Sequence, residues 1–148
     1  MVHALLEAHR VIKPEGLLID VRPASVHRRV GLAHGDCYRL RWVMRENFED
    51  DRAADRAVAQ VISEGWFNAE THVRINCYRV MDTLGDFQGW LTDFVDKGKF
   101  PSHDWLVRRL EHALAAEKGN VRVVVSAPLV LRTLRKREMR QPLNAKLI

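Results

Sequence analysis

Apolar and polar positions along this chain recur with two periods, one typical of helices and one typical of strands. Near the start, four side chains follow helical spacing: Leu5, Ala8, His9 and Ile12. Pro14 ends this predicted helix, because its ring excludes a further helical turn. Residues 13–16 fit a type I turn, and Leu17-Leu18-Ile19 follows as a short apolar run typical of a strand covered on both faces.

The remaining pattern predicts four more strands and three more helices. Residues 28–34 and 37–45 form a hairpin around Gly35-Asp36, and residues 71–81 and 121–127 are rich in strand-forming side chains. Helices are predicted at residues 52–64, after the cap Asp82-Thr83, and after the cap Ser102. Pro128 ends the last strand or marks a sheet edge. Residues 129–139 fit either a further strand or a short helix, and we favour an extended start.

This order of elements predicts an α/β fold with an α+β tendency: a small mixed sheet with an added hairpin and covering helices. The chain has 148 residues, the size of one domain. It contains no repeat and no linker rich in Pro, Gly or Ser. We therefore expect a single domain over residues 1–140 and a loose tail over residues 141–148.

Composition and charge narrow the class of protein. The net charge is +5 at pH 7 and the sequence pI is near 9.6, but the arginines are spread along the chain, which argues against nucleic-acid binding. Residues 132–140 contain five basic side chains, for which a solvent-exposed terminal face is the favoured interpretation over a contact with nucleic acid or acidic lipid. No apolar run reaches the roughly 20 residues of a membrane helix, and no signal peptide is expected. Two cysteines favour a cytoplasmic protein without a disulfide framework.

One segment resembles a known family. Residues 10–16 read Arg-Val-Ile-Lys-Pro-Glu-Gly. They are similar to the arginine-valine-leucine-lysine-proline-glycine-glycine segment that precedes the fifth strand of class I S-adenosylmethionine-dependent methyltransferases, with Glu15 in place of the first glycine. The resemblance is specific over residues 1–23 and extends beyond them only in element order. It implies that residues 17–21, 71–81 and 121–127 are strands five, six and seven of a Rossmann-like sheet, with strand seven antiparallel between the other two.

The same resemblance also implies a cofactor and a reaction. In the family this segment lies past the middle of the chain, and a glycine-rich turn near the start binds the cofactor, whereas this sequence has no Gly-x-Gly motif. The resemblance thus implies S-adenosylmethionine as cofactor without assigning any residue to bind it. We expect methyl transfer to an unknown acceptor only if the missing half is supplied, so the chain is not expected to be an autonomous enzyme. The alternatives are a non-catalytic interaction or dimerisation domain and, third, a weak nucleic-acid-binding module.

Loss of the first four strands predicts a surface that must be covered. The first strand of this chain would then keep a free edge and an uncovered apolar face. Such surfaces favour association, because they pair or aggregate when left open. We therefore expect a homo-oligomer or a protein partner on the exposed sheet edge.

Three polar residues lie where an open sheet binds ligands, outside the carboxyl end of a strand. They are Asp20, Arg22 and His27. Asp20 can orient an amine or accept a proton, and Arg22 can hold a carboxylate or phosphate. The favoured alternative is an ion pair or turn contact at the strand end. No catalytic residue is assigned, and the seven histidines lack metal-ligand spacing, so no metal is expected.

Overall fold

The computed structural model describes residues 1–95 and 103–138 of the chain. The predicted helix cap at Ser102 and the predicted tail at residues 141–148 lie outside this range. Within it, the fold is mixed α/β, which confirms the predicted α/β class. The five-stranded sheet is antiparallel, and its resemblance to a Rossmann-like sheet stays a prediction. In chain order the described elements are α1 (Val2–Val11), β1 (Leu17–Pro23), β2 (Arg28–His34), β3 (Cys37–Met44), α2 (Glu49–Ser63), β4 (Phe67–Met81), α3 (Leu84–Val95), α4 (Asp104–Ala116) and β5 (Val121–Lys136).

β5 is the strand with which most of the sheet pairs. The strand order is β1-β5-β2-β3, and β4 also pairs with β5. The predicted hairpin is confirmed, since β2 and β3 pair antiparallel around Gly35, whose φ is +58°. β5 pairs with both β1 and β4. The assignment of these three strands to positions five, seven and six of a Rossmann-like sheet stays a prediction.

β5 is longer than the predicted strand, because Pro128 does not end it. The Ala24 amide donates to the Pro128 carbonyl at 2.9 Å. Proline has no amide hydrogen to return to the Ala24 carbonyl, and the Val26 amide donates to that carbonyl instead, at 2.7 Å. The carbonyl left without a strand partner is thus satisfied locally, and β5 continues to Lys136.

The chain divides into two compact units. The first unit comprises Met1–Arg22, Asp51–Arg74 and the described residues 130–138. Its core joins α1 and α2 to the strands through Leu5, Ala57, Val58, Val61, Phe67 and Leu134. The second unit comprises Pro23–Asp50 and Ile75–Leu129. Its core includes Val30, Leu32, Phe87, Leu106, Leu110 and Val123. The single domain over residues 1–140 stays a prediction.

β1 is covered on one face only, so the expectation of a strand covered on both faces is wrong. Leu18 packs against the core of the first unit, beneath the helices. Side chains alternate between the faces of a strand, and the outward ones are exposed: Leu17 by 46%, Ile19 by 62% and Val21 by 54%. The continuous apolar run therefore reflects an uncovered face and not a second covering layer.

The turn between α1 and β1 differs from the predicted type. The Gly16 amide donates to the Lys13 carbonyl at 2.9 Å, which closes a β-turn, but the φ of Glu15 is +58°. A positive φ at the third position, with proline at the second, defines a type II turn. Gly16 is required beside it, because a Cβ atom there would lie 2.4 Å from Cγ2 of Ile12 and 2.8 Å from the Lys13 carbonyl oxygen.

Glu15→Gly should therefore raise the free energy of unfolding. Left-handed backbone costs a non-glycine residue roughly 1–2 kcal/mol, and the added flexibility of glycine in the unfolded chain offsets part of it, which leaves a gain of about 0.5–1 kcal/mol. Gly16→Ala should lower the free energy of unfolding because of the clash. Urea unfolding midpoints test both, with Gly89→Ala in the open middle of α3 as a control for glycine replacement. A lower midpoint for Glu15→Gly would contradict the strained turn.

Candidate functional site

The end of β5 holds the turn and first strand of the chain in place. The Lys136 amide donates to the Gly16 carbonyl at 2.9 Å, and Nζ of Lys136 donates to the Ile12 carbonyl at 2.7 Å. Nη1 of Arg135 donates to the Glu15 carbonyl at 2.6 Å, and the same guanidinium pairs with Glu70. Lys136 and Arg135 thus satisfy carbonyl groups at the end of α1 and in the turn. These contacts give two side chains of the basic run a structural role, and the solvent-exposed interpretation of the run stays a prediction.

On the covered face of β1, four charged side chains form an ion-pair network: Asp20, Arg22, Asp55 and Arg132. Nε of Arg22 donates to both carboxylate oxygens of Asp20, at 3.0 and 2.9 Å. Oδ1 of Asp55 accepts from Nη2 of Arg22 at 3.0 Å and from Nη2 of Arg132 at 2.9 Å. The side chains of Asp20 and Arg22 are only 10% and 11% exposed. The network balances two positive charges against two negative ones.

Strand register and helix spacing bring these groups together. The Gly16–Lys136 and Ala24–Pro128 hydrogen bonds share one antiparallel offset, which places Asp20 opposite Arg132. Asp55 lies on α2, one turn after Asp51. The carbonyl of Asp51 accepts a longer hydrogen bond from Nη1 of Arg22, at 3.4 Å. One arginine thus bridges its own strand to α2.

The environment of Asp55 keeps its carboxylate ionised. Partial burial raises the pKa of Asp55, but the hydrogen bond from Arg132 and the charges of Arg22 and Arg132 outweigh it. The pKa therefore lies below its ordinary value of 3.8. A carboxylate with a lowered pKa, held by two guanidinium groups, is a weak proton acceptor at neutral pH. The network is suited to fixing β1 against α2 and β5, and not to acid–base catalysis.

A small cavity adjoins the network within the first unit. It measures about 200 Å³ and lies between α2 and β4, with apolar walls at Val58 and Ile62 and polar groups at Thr71 and Arg132. Pockets for drug-sized ligands measure about 300–1,000 Å³. This cavity suits a small group or water, and it adds no catalytic pair to the network.

Of the three predicted substrate-facing residues, the structure joins two. Asp20 and Arg22 contact each other, and the alternative interpretation of an ion pair at the strand end describes their observed contacts. His27 belongs to the second unit, where its Nδ1 accepts from the Glu46 amide at 3.1 Å and its ring lies 4.9 Å from that of Phe48. His27 thus has a structural role of its own beside β3.

The outward face of β1 carries the other feature of the site. Leu17, Ile19 and Val21, here called the β1 strip, are three apolar side chains in a row, each about half exposed. Such a row on a strand at the edge of a sheet is a surface that other chains can bind. β1 therefore presents an ion-pair network on its covered face and an apolar strip on its open face.

The sequence does not predict two members of the network, Asp55 and Arg132. Asp55 lies in a predicted helix whose apolar stripe indicates the buried face and gives no information on the partners of its charged side chains. Arg132 follows Pro128, where the predicted strand had ended. The i, i+4 spacing of Asp51 and Asp55 gives no signal of the network, because Asp51 contacts Arg22 through its backbone carbonyl and not through its carboxylate. Their arginine partners lie far away in sequence, so only the fold reveals the pairing.

Within residues 1–95 and 103–138, no three His, Cys, Asp or Glu side chains are grouped closely enough to hold a metal ion. In the same part of the chain, no helix combines the length and apolar character needed to cross a membrane. Comparisons with protein-family models, curated proteins and solved structures gave no match to this chain.

Asp55→Asn tests the network. The substitution removes a charged acceptor shared by two arginines, and we expect the free energy of unfolding at pH 7 to fall by about 1–2 kcal/mol, a value reduced for the 40% exposure of Asp55. Because the folded pKa is lowered, this stability is present above about pH 4 and is lost as the pH falls through the folded pKa.

The difference in the free energy of unfolding between wild type and Asp55→Asn should accordingly become smaller below pH 4. Urea unfolding across the pH range measures it, and Asp93→Asn on the exposed side of α3 is the matched control. A difference that stays constant down to pH 2.5 would show that the Asp55 charge is not the cause.

Proposed function

We propose that this chain is an association domain that binds another polypeptide through the β1 strip. The observation that carries the proposal is the exposure of Leu17, Ile19 and Val21 on a strand that pairs with β5 alone among the described strands. Burial of apolar surface is the main driving force of protein association. The ion-pair network supports this role, because it holds the strand rigid from the covered side.

β3 and β4 also expose apolar side chains, among them Val43, Val73 and Ile75, but each of these strands exposes charged side chains as well. β4 exposes the charged side chains Glu70, Arg74 and Arg79, and β3 exposes Arg39 and Arg41. Charged side chains on edge strands protect against unwanted pairing. β1 has no charged side chain among its outward positions. Association is therefore favoured at β1 over the other two strands.

A fluorescent apolar probe tests whether the strip is a competent binding surface. At submicromolar protein, anilinonaphthalene sulfonate should bind the wild-type chain, and Ile19→Asp should lose most of the signal because a charge interrupts the strip. Val43→Asp is the matched control, since Val43 is a similarly exposed strand residue of the second unit. Equal probe signals from wild type and Ile19→Asp would contradict the proposal.

A second proposed function is methyl transfer by an assembly that includes this chain. Two observations favour it: the pairing of β5 with both β1 and β4, and the left-handed backbone of Glu15, at the position where the similar family segment has glycine. In this proposal S-adenosylmethionine is the cofactor, and residues beyond this chain bind it. The methyl acceptor is not assigned.

Calorimetric titration with S-adenosylmethionine tests whether the cofactor site lies outside this chain. The chain alone should give no binding heat at millimolar cofactor, because no glycine-rich turn lets a backbone approach the ligand. Saturable heat would show that the chain holds a complete cofactor site and would overturn the proposal that the site lies elsewhere.

We propose the cytoplasm as the compartment. Cys37 and Cys77 are free thiols, and Cys37 is exposed. Exposed free cysteines are stable in a reducing environment and prone to oxidation outside it.

A further inference from the structure

We infer that the partner bound at β1 is a second copy of this chain, whose β1 pairs antiparallel and edge to edge with Ile19 opposite Ile19. This inference rests on the proposed association function and names its partner and geometry. It follows from three properties of β1: the direction of its backbone groups, the position of its charges and the position of its proline.

The backbone groups of β1 divide into an inward and an outward set. The Gly16 carbonyl and the Ala24 amide both bond to β5. In a strand, the amide and carbonyl of one residue point to the same side, and successive residues alternate. Even-numbered residues therefore bond to β5, and Leu17, Ile19 and Val21 direct their amides and carbonyls to the free edge. The residues with exposed apolar side chains are also those with outward hydrogen-bonding groups.

Only one symmetric register uses all three outward residues without a penalty. With Ile19 at the centre, Leu17 lies opposite Val21 of the partner subunit, and every outward amide meets a carbonyl. A centre at Asp20 sets two like charges directly opposite each other, which is destabilising. A centre at Val21 sets Ile19 opposite Pro23 of the partner subunit, which has no amide hydrogen. A centre at Leu18 leaves Val21 opposite the turn.

The Ile19-centred register is also compatible with the covered face of β1. There, Asp20 lies beside Leu18 of the partner subunit, so its charge meets no like charge. Asp20 keeps its hydrogen bonds to Arg22, because they run along its own strand. On the open face, the two strips lie side by side and form three cross-strand pairs of apolar side chains. The dimer therefore satisfies the free edge and buries part of each strip against the other.

Cysteine cross-linking tests the register directly. In a chain with Cys37→Ser and Cys77→Ser, Ile19→Cys should form a disulfide-linked dimer on mild oxidation. Opposite residues of a hydrogen-bonded antiparallel pair have Cα atoms about 5.5 Å apart, within the range of a disulfide. Val21→Cys alone should not link, because four residues of offset separate the two thiols by about 13 Å.

A mixture supplies the matched positive control. Leu17→Cys chains mixed with Val21→Cys chains should cross-link, whereas neither should link alone. Linking of Val21→Cys by itself, or failure of Ile19→Cys to link, would overturn the register. In either case a probe signal that depends on Ile19 would still support association with a different polypeptide, so the two proposals fail separately.

Sedimentation equilibrium gives a second measurement that needs no cysteine replacement. The wild-type chain should approach twice its monomer mass of 17.1 kDa at high concentration. Ile19→Asp should remain at the monomer mass, and Val43→Asp should dimerise like wild type. A wild-type chain that stays monomeric at all concentrations would overturn the second-copy inference.

Discussion

The first unit depends on the pairing of the last third of β5 with the opening turn and strand. Backbone and side-chain groups of Lys136 and Arg135 satisfy carbonyls of Ile12, Glu15 and Gly16. These contacts join residues more than a hundred positions apart. They satisfy backbone carbonyls at the end of α1. They also fix the register of β1 along β5, which places Asp20 opposite Arg132. A register shift of one residue would reverse which side chains of β1 meet the helices.

That register gives β1 two different faces. Leu18 and the ion-pair network point toward the helices, where the charges of Asp20 and Arg22 are compensated at short distance. The β1 strip points away, where no helix of the described residues covers it. A strand that is held rigid on one face and exposed on the other is well suited to binding, because its backbone loses little further conformational entropy on association.

Local sequence patterns predicted the elements well, since helices and strands follow from side-chain periodicity and turn residues. They failed where a distant partner decides the outcome. Pro128 was expected to end a strand or to mark a sheet edge, but β5 continues past it and pairs with other strands, and the Val26 amide satisfies the Ala24 carbonyl that proline cannot bond to. Glu15 was expected in a type I turn, yet its backbone is left-handed. The apolar run at β1 gave no sign of which face lacks cover.

The candidate site was predictable only in part. Asp20 and Arg22 were identified from their place at the end of a strand, and they do contact each other. Asp55 and Arg132 were missed because their contacts join α2 to the far end of β5, across 77 residues of sequence. His27 was grouped with the strand end by sequence proximity, but its partners are Glu46 and Phe48. Charge networks of this kind become visible only when the fold is known.

Amide hydrogen exchange along β1, measured by NMR at low and high protein concentration, tests the central claim most directly. Leu18, Asp20 and Arg22 should exchange slowly at both concentrations, because their amides point to β5. The amides of the β1 strip should exchange quickly in dilute protein and slowly in concentrated protein, where the free edge is paired. Exchange of the strip that is slow in dilute protein, or unchanged by concentration, would contradict the account.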